Sequence, residues 1–314
     1  MSSYKDLRIV DNFYQTSAFF PMPTVIISTL ADNGQTNCGA YSLVQPYYVA
    51  GKDFYAMLLS CRNSSNTAQN LIKRKKCALN FIYDDRKLFK QAVALGFPGD
   101  TTEQKMKNCI YTLEDGLRKE ADPDGEYPQV LQDCFQVFEC TWIDSLENCE
   151  DTKPLEEGQD HYEMEKYHDF NGITSPYGAH FILRVDKILM KEKYYNAIIN
   201  GVTKNDFPPV PVDYGYRDSK NFWYTRSPFW NKPIGELLPI RETSVSSVMY
   251  AAKRIDPEVQ FTEEACAKLV KVPRIFLPTV LKGCVAWAKE NGVTLVTAEH
   301  MDIINDKRAK EKGK

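Results

Sequence analysis

The stretch from Pro21 to Ile82 constrains the fold more than any other part of the chain, because it reads as short β-rich runs separated by turn residues. TVIISTL (24–30), CGAYSLVQPYYV (38–49), FYAMLLSC (54–61) and CALNFIY (77–83) are rich in β-branched and aromatic residues. Asn33-Gly34 and Gly51-Lys52 punctuate them as hairpin turns. The expectation is an antiparallel meander. Between the third and fourth runs lies RNSSNTAQNLIKRKK, where residues 67–73 are expected to form one or two helical turns, with Thr67 able to cap the start.

From residue 84 to 133 the apolar spacing turns helical with charged faces: RKLFKQAVALGF (86–97), TTEQKMKNCIYTLEDGLRK (101–119) and the short QVLQDCF (129–135). Strand character returns at QVFECTWI (136–143) and at AHFILRVDKILM (179–190). Helices flanked by strands in this way are expected to pack outside a β core. Residues 144–169 hold ten acidic and two basic side chains and read as an exposed insertion. The Pro- and aromatic-rich stretch 205–230 has little periodicity and is expected to wrap a surface. The C-terminal text reads separately, as three short amphipathic helices. FTEEACAKLVKV (261–272) is capped by Thr262 and stopped by Pro273, TVLKGCVAWAKENG (279–292) closes on Asn291-Gly292, and TAEHMDIINDKRAKEK spans 297–312. The domain expectation is therefore 1–258 and 259–314.

Charge and cysteines narrow the function classes. Lys and Arg number 39 against 42 Asp and Glu, a net charge of −3 that argues against a general nucleic-acid binder. Nine cysteines with no CxxC pair form neither a disulfide framework nor a compact zinc site, and are expected to be reduced, mostly as small apolar fillers. His161, His168, Glu163 and Glu165 fall in the acid-rich stretch with spacing that does not suit a metal, so none is expected. No leader-like apolar segment opens the sequence, and no run of apolar residues is long enough for a membrane span. A cytoplasmic protein is expected.

As an ordered series, the residues of the first 190 positions resemble the flavin reductase-like family of FMN-binding split β-barrels, flavoredoxin type. The matching features are Ser28-Thr29 at a strand end, the DNGQTN turn, the strand with Asn37, Ala40 and Ser42, the loop with Asn66, Thr67 and Asn70, and Asn80-Phe81. EQKM (103–106), YPQVLQDCFQVFEC (127–140) and a strand opening with His180 continue it. The resemblance implies a mainly β fold with helical insertions, an FMN-binding split β-barrel followed by a small C-terminal three-helix domain. It also implies a homodimer, with the flavin where subunits meet, and NAD(P)H or a protein as electron donor.

The residue chemistry suits FMN. Ser60, Arg62, Ser64, Asn66 and Thr67 concentrate donors at a strand-to-helix junction, where an anion is favoured by free N–H groups and the helix dipole. Thr29, Asn37, Ala40, Tyr41, Ser42 and Asn70 complete the expected cofactor set, with small residues at 39 and 40 allowing close backbone approach. Where family members often carry a second basic residue in the phosphate loop, this chain has Ser-Ser-Asn, leaving Lys73, Arg74 and Lys75 to assist. Hydride transfer between stacked rings needs position more than acid or base. No catalytic residue is therefore assigned; His180 is the candidate near the ring, or else satisfies backbone groups at a strand end. Cys61, beside the loop, is either filler or a thiol activated by the helix terminus and Arg62. The segment 261–304 resembles the small helical domain of a light-independent protochlorophyllide reductase subunit, which implies docking to a redox partner. The competing functional reading is a flavin-carrying accessory module for a larger redox enzyme.

Overall fold

Val25, Ile27 and Thr29 face one way along their strand and Ile26, Ser28 and Leu30 the other, and this alternation recurs through the first part of the chain. The computed structural model describes residues 4, 8, 18, 20–49, 54–96, 101–146, 171–216, 222–225, 244–256, 258–273 and 276–312. They belong to two units, one of Met1–Lys191 with Pro208–Lys232, the other of Glu192–Phe207 with Pro233–Lys314. The expected hairpin at Gly51-Lys52, the acidic residues 147–169 with His161 and His168, and Cys149 lie outside the described residues.

The first unit carries β1 (Met22–Pro23), β2 (Val25–Leu30), β3 (Thr36–Tyr41), β4 (Val44–Tyr47), β5 (Ala56–Arg62), α1 (Asn66–Arg74) and β6 (Lys76–Ile82). It continues with α2 (Arg86–Leu95), α3 (Thr102–Lys107), β7 (Leu113–Glu114), α4 (Leu117–Ala121), β8 (Val130–Leu131), β9 (Cys134–Trp142), β10 (Gly172–Ile173) and β11 (Gly178–Met190). The main sheet is antiparallel in the order β3-β2-β6-β9-β11-β5-β4, with β10 also paired to β11. The β2–β3 hairpin forms as expected, with Gly34 at φ +78° in its turn, and β4 pairs antiparallel with β5. The expected meander does not form, because β3 and β4 are the two ends of the sheet instead of neighbours. Only Ser42 and Leu43 separate them in the chain, so Tyr41 and Val44 lie within roughly 11 Å of each other. The sheet therefore curls enough to bring the end of β3 beside the start of β4, at a seam of residues 42–43. Ser60 N–H donates to Leu43 O there at 3.0 Å.

Curling separates an inside from an outside. Val25, Ile27, Leu59, Leu79, Trp142, Phe181 and Leu183 form the enclosed core, and α1 adds Ala68 and Leu71 to it. On the outer face, α2 lays Phe89, Ala92 and Leu95 over Ile26, Cys38, Ala78 and Ile82, as expected for helices outside a β core. QVLQDCF is not a helix. Leu131 N–H donates to the buried Asn80 Oδ1 at 3.0 Å, and Val130–Leu131 pair with β7, a tertiary demand that overrides helical spacing. Asn80 Nδ2 in turn donates to Ile26 O at 2.9 Å and Ser28 Oγ at 3.1 Å. α4 is anchored by Arg118, which donates to Asp186 at 2.9 Å and to the Cys77 and Cys140 carbonyls.

Part of the aromatic stretch forms strands that its periodicity did not predict. It contributes β12 (Val212–Tyr216) and β13 (Phe222–Thr225), a hairpin that adds β1 to make a three-stranded sheet. Tyr224 stacks on Phe89, with ring centroids 3.9 Å apart.

The second unit has α5 (Glu192–Asn200), α6 (Val245–Ile255), β14 (Gln260–Phe261), α7 (Glu263–Ala267), α8 (Leu277–Glu290), β15 (Leu295–Val296) and α9 (Ala298–Lys312). Thr262 caps α7 by accepting from Ala265 N–H at 3.2 Å, and Gly292 follows α8 at φ +65°, both as read from the sequence. α7 ends at Ala267, well before Pro273. Val248 and Ala252 of α6 share one core with Cys266, Leu281, Cys284 and Met301, so this unit is more than three helices and begins before residue 259. Among the described residues, no helix is long and apolar enough to cross a membrane.

Candidate functional site

The junction between β5 and α1 brings the expected anion-binding residues together. Met57 and Leu59 point into the core, so Ser60 and Arg62 point outward. Register places Ser60 opposite His180 and Arg62 opposite Gly178. Arg62 and Ser64 are exposed, and among the described residues no side-chain partner engages the guanidinium. The loop behind them is rigidly held: Asn63 Nδ2 donates to Pro176 O at 2.8 Å and Asn63 N–H to Tyr177 O at 3.1 Å, while Gln69 donates to Asn63 O at 2.7 Å. Ser65, not Thr67, is the N-cap, accepting from Ala68 N–H at 3.1 Å. The first turn of α1 has no acidic residue, so nothing there offsets the positive end of the helix dipole.

A second group of expected cofactor residues is occupied internally. Thr29, Asn37, Thr67 and Asn70 are buried. Asn70 donates to Thr29 Oγ1 at 3.1 Å, Asn66 to Asn37 Oδ1 at 3.3 Å, and Thr102 to the same Asn37 oxygen at 3.2 Å. These bonds seat α1 and α3 on β2 and β3. These residues form a hydrogen-bonded frame behind the junction. Tyr41 belongs to this frame too: its ring lies against Gly39, where an added Cβ would come within 2.9 Å of it and 3.1 Å of Thr67 Oγ1. Burial pushes the Tyr41 phenol up to about 12, against the opposing hydrogen bonds of Ser65 and Thr67.

Beside the seam, Ala40 is half-buried and Ser42 donates to Asp213 Oδ2 at 2.6 Å. Thr24 Oγ1 donates to that same oxygen at 2.8 Å. Asp213 is fully buried and was not expected from the sequence, where it sits in a stretch without periodicity. His180 faces outward beside Ser60, with Nδ1 2.8 Å from Thr174 Oγ1, and burial holds its imidazole below the ordinary histidine value.

One expectation at the junction fails, and the reading of Cys61 as filler is the one that fits. Lys73, Arg74 and Lys75 do not assist an anion: they lie at the far end of α1, where Lys73 and Arg74 pair with Asp32 and Lys75 pairs with Asp144. Cys61 is not activated. Its side chain faces the core, and burial pushes the thiol up to about 12, which outweighs a hydrogen bond from Ser65. At pH 7.5 the thiol is then almost entirely protonated. Iodoacetamide at that pH is expected to leave Cys61 unlabelled in the native chain and to label it after denaturation, read by peptide mass mapping. Native labelling at the rate of free cysteine would contradict the burial. The eight described cysteines are all free thiols, six of them buried.

The arrangement therefore offers an exposed cation and hydroxyls at a helix N-terminus, next to a seam lined by small residues. No protein-family model matches the chain, and no curated protein does. Solved structures do resemble it. Flavoredoxin from Methanosarcina acetivorans aligns at 14% identity over 78% of this chain and 100% of that one, with a TM-score of 0.46. The 2-nitrobenzoate 2-nitroreductase of Pseudomonas fluorescens aligns at 14% identity over 70% and 85%, TM-score 0.46. Nitrilotriacetate monooxygenase component B from Bacillus cereus aligns at 13% over 70% and 92%, TM-score 0.45.

Proposed function

We propose that the first unit binds FMN at the β5–α1 junction and the seam, and works as an oxidoreductase of the flavin reductase type. It would move hydride or electrons between NAD(P)H, or a protein donor, and flavin or a small acceptor. The observation that carries this reading is the exposed Arg62, without a side-chain partner among the described residues, beside Ser64 at an α1 N-terminus whose first turn has no acidic residue. That combination fits a phosphate dianion. The bound flavin supplies the hydride chemistry. The chain supplies position: Arg62 and the α1 terminus hold the phosphate end, Ala40, Ser42 and Ser60 meet the ring edge, and the buried Asn37, Thr67 and Asn70 keep that surface rigid. His180 is placed to border the ring and is assigned no proton transfer. A homodimer meeting at the seam belongs to the same reading.

The visible spectrum of the purified protein, an FMN titration and an NAD(P)H oxidation assay test it together. Saturable FMN binding with FMN-dependent NAD(P)H oxidation is expected. Colourless protein with no saturable binding would sink the proposal. The separate core of the helical unit favours one second reading, an accessory module that docks to a larger redox enzyme. It predicts FMN binding and reduction by a low-potential donor, without NAD(P)H turnover.

A further inference from the structure

Ser42 lies in the two-residue connection that forms the seam, and it is half-buried. Its hydroxyl donates to Asp213 Oδ2 at 2.6 Å. That oxygen also receives Thr24 Oγ1 at 2.8 Å, and the Asp213 side chain has 0% exposure. The strand that carries Asp213 pairs with β1 through Met22, and just before it Pro209 O accepts from Asp84 N–H, beyond the end of β6, at 2.8 Å. Two hydroxyls, Thr24 and Ser42, thus converge on the one oxygen Oδ2 of a buried carboxylate.

A serine hydroxyl has one proton to give and two lone pairs to receive. Here the proton is committed to an oxygen that is accepting twice. Toward the seam Ser42 can only accept.

Building on the FMN reading above, we infer that Asp213 is a positioning residue that makes Ser42 an obligate acceptor, so that the seam selects a ring edge carrying an N–H donor, the imide of a flavin pyrimidine ring. A carbonyl or an alkylated nitrogen at that position leaves the Ser42 lone pairs facing a group that cannot satisfy them.

The test titrates the full chain with FMN and with N3-methyl-FMN. The native protein is expected to bind FMN about tenfold or more tighter than the methylated ring. Ser42→Ala removes the acceptor and is expected to bring the two affinities within about threefold of each other. Asp213→Asn is expected to do the same, because an amide offers a donor as well as an acceptor and releases the hydroxyl. A purely structural role would weaken both ligands in parallel and leave the ratio unchanged. If Asp213→Asn does not fold, Ser42→Ala decides alone. Equal binding of the two flavins by the native chain, or a full ratio in Ser42→Ala, overturns the inference and leaves FMN binding standing. Absence of saturable binding of both overturns the FMN reading and this inference with it.

Discussion

Replacing Arg62 with alanine is expected to weaken FMN binding at least tenfold while leaving riboflavin affinity within about twofold, because a single charge-assisted bond to phosphate contributes about 1.5–3 kcal/mol and 1.4 kcal/mol is tenfold. Riboflavin lacks the phosphate, so it reports everything except that contact. Arg62 is exposed and engages no side-chain partner among the described residues, so the variant should unfold at the same denaturant concentration as the native chain. The difference between the two ligands should also shrink as salt is raised, since an exposed pair is screened. Calorimetric titration of both ligands checks the prediction. Equal losses for FMN and riboflavin, or no loss for FMN, would remove Arg62 from the site. Thr67→Ala is a different experiment. Thr67 is buried beside Gly39 and Tyr41, so its removal would act first on the frame that seats α1.

Phe181→Ala is expected to cost the first unit about 3–5 kcal/mol. Phe181 is fully enclosed and meets Trp142 edge-on at 5.1 Å between ring centroids, in the core that the curled sheet and α1 enclose. An open sheet would leave one face of β11 to solvent, and the same substitution would then cost under about 1 kcal/mol. Urea unfolding followed by tryptophan fluorescence separates the two outcomes. A small loss would contradict that enclosure.

Much of the fold was legible from local periodicity. β2, β5, β6, β9 and β11 fall where β-branched and apolar runs predict them, and the Asn33-Gly34 turn and the Thr262 and Gly292 helix ends follow from backbone preferences of single residues. The exposed Arg62 and Ser64 at the proposed anion end were legible for the same reason, since they sit two residues apart at a strand-to-helix change. What misled the reading was always a distant partner. QVLQDCF has helical spacing, but Asn80 claims the Leu131 N–H. Lys73, Arg74 and Lys75 look available until Asp32 and Asp144 are placed against them. That Asn70 bonds Thr29, and that Asn37 receives Asn66 and Thr102, likewise depends on partners far along the chain.

Asp213 marks the boundary between the two kinds of information. Its hydroxyl donors lie 189 and 171 residues earlier in the chain, and nothing in its own neighbourhood signals that it is buried. By itself the sequence determined strand and helix character, turns, caps and the concentration of donors before α1, because these depend on interactions within a few residues. The tertiary structure alone decided that β3 and β4 end the sheet instead of pairing, that the frame residues face inward, and that Ser42 has its proton committed. Those outcomes depend on hydrogen-bond partners and burial contributed from far along the chain, which local pattern does not encode.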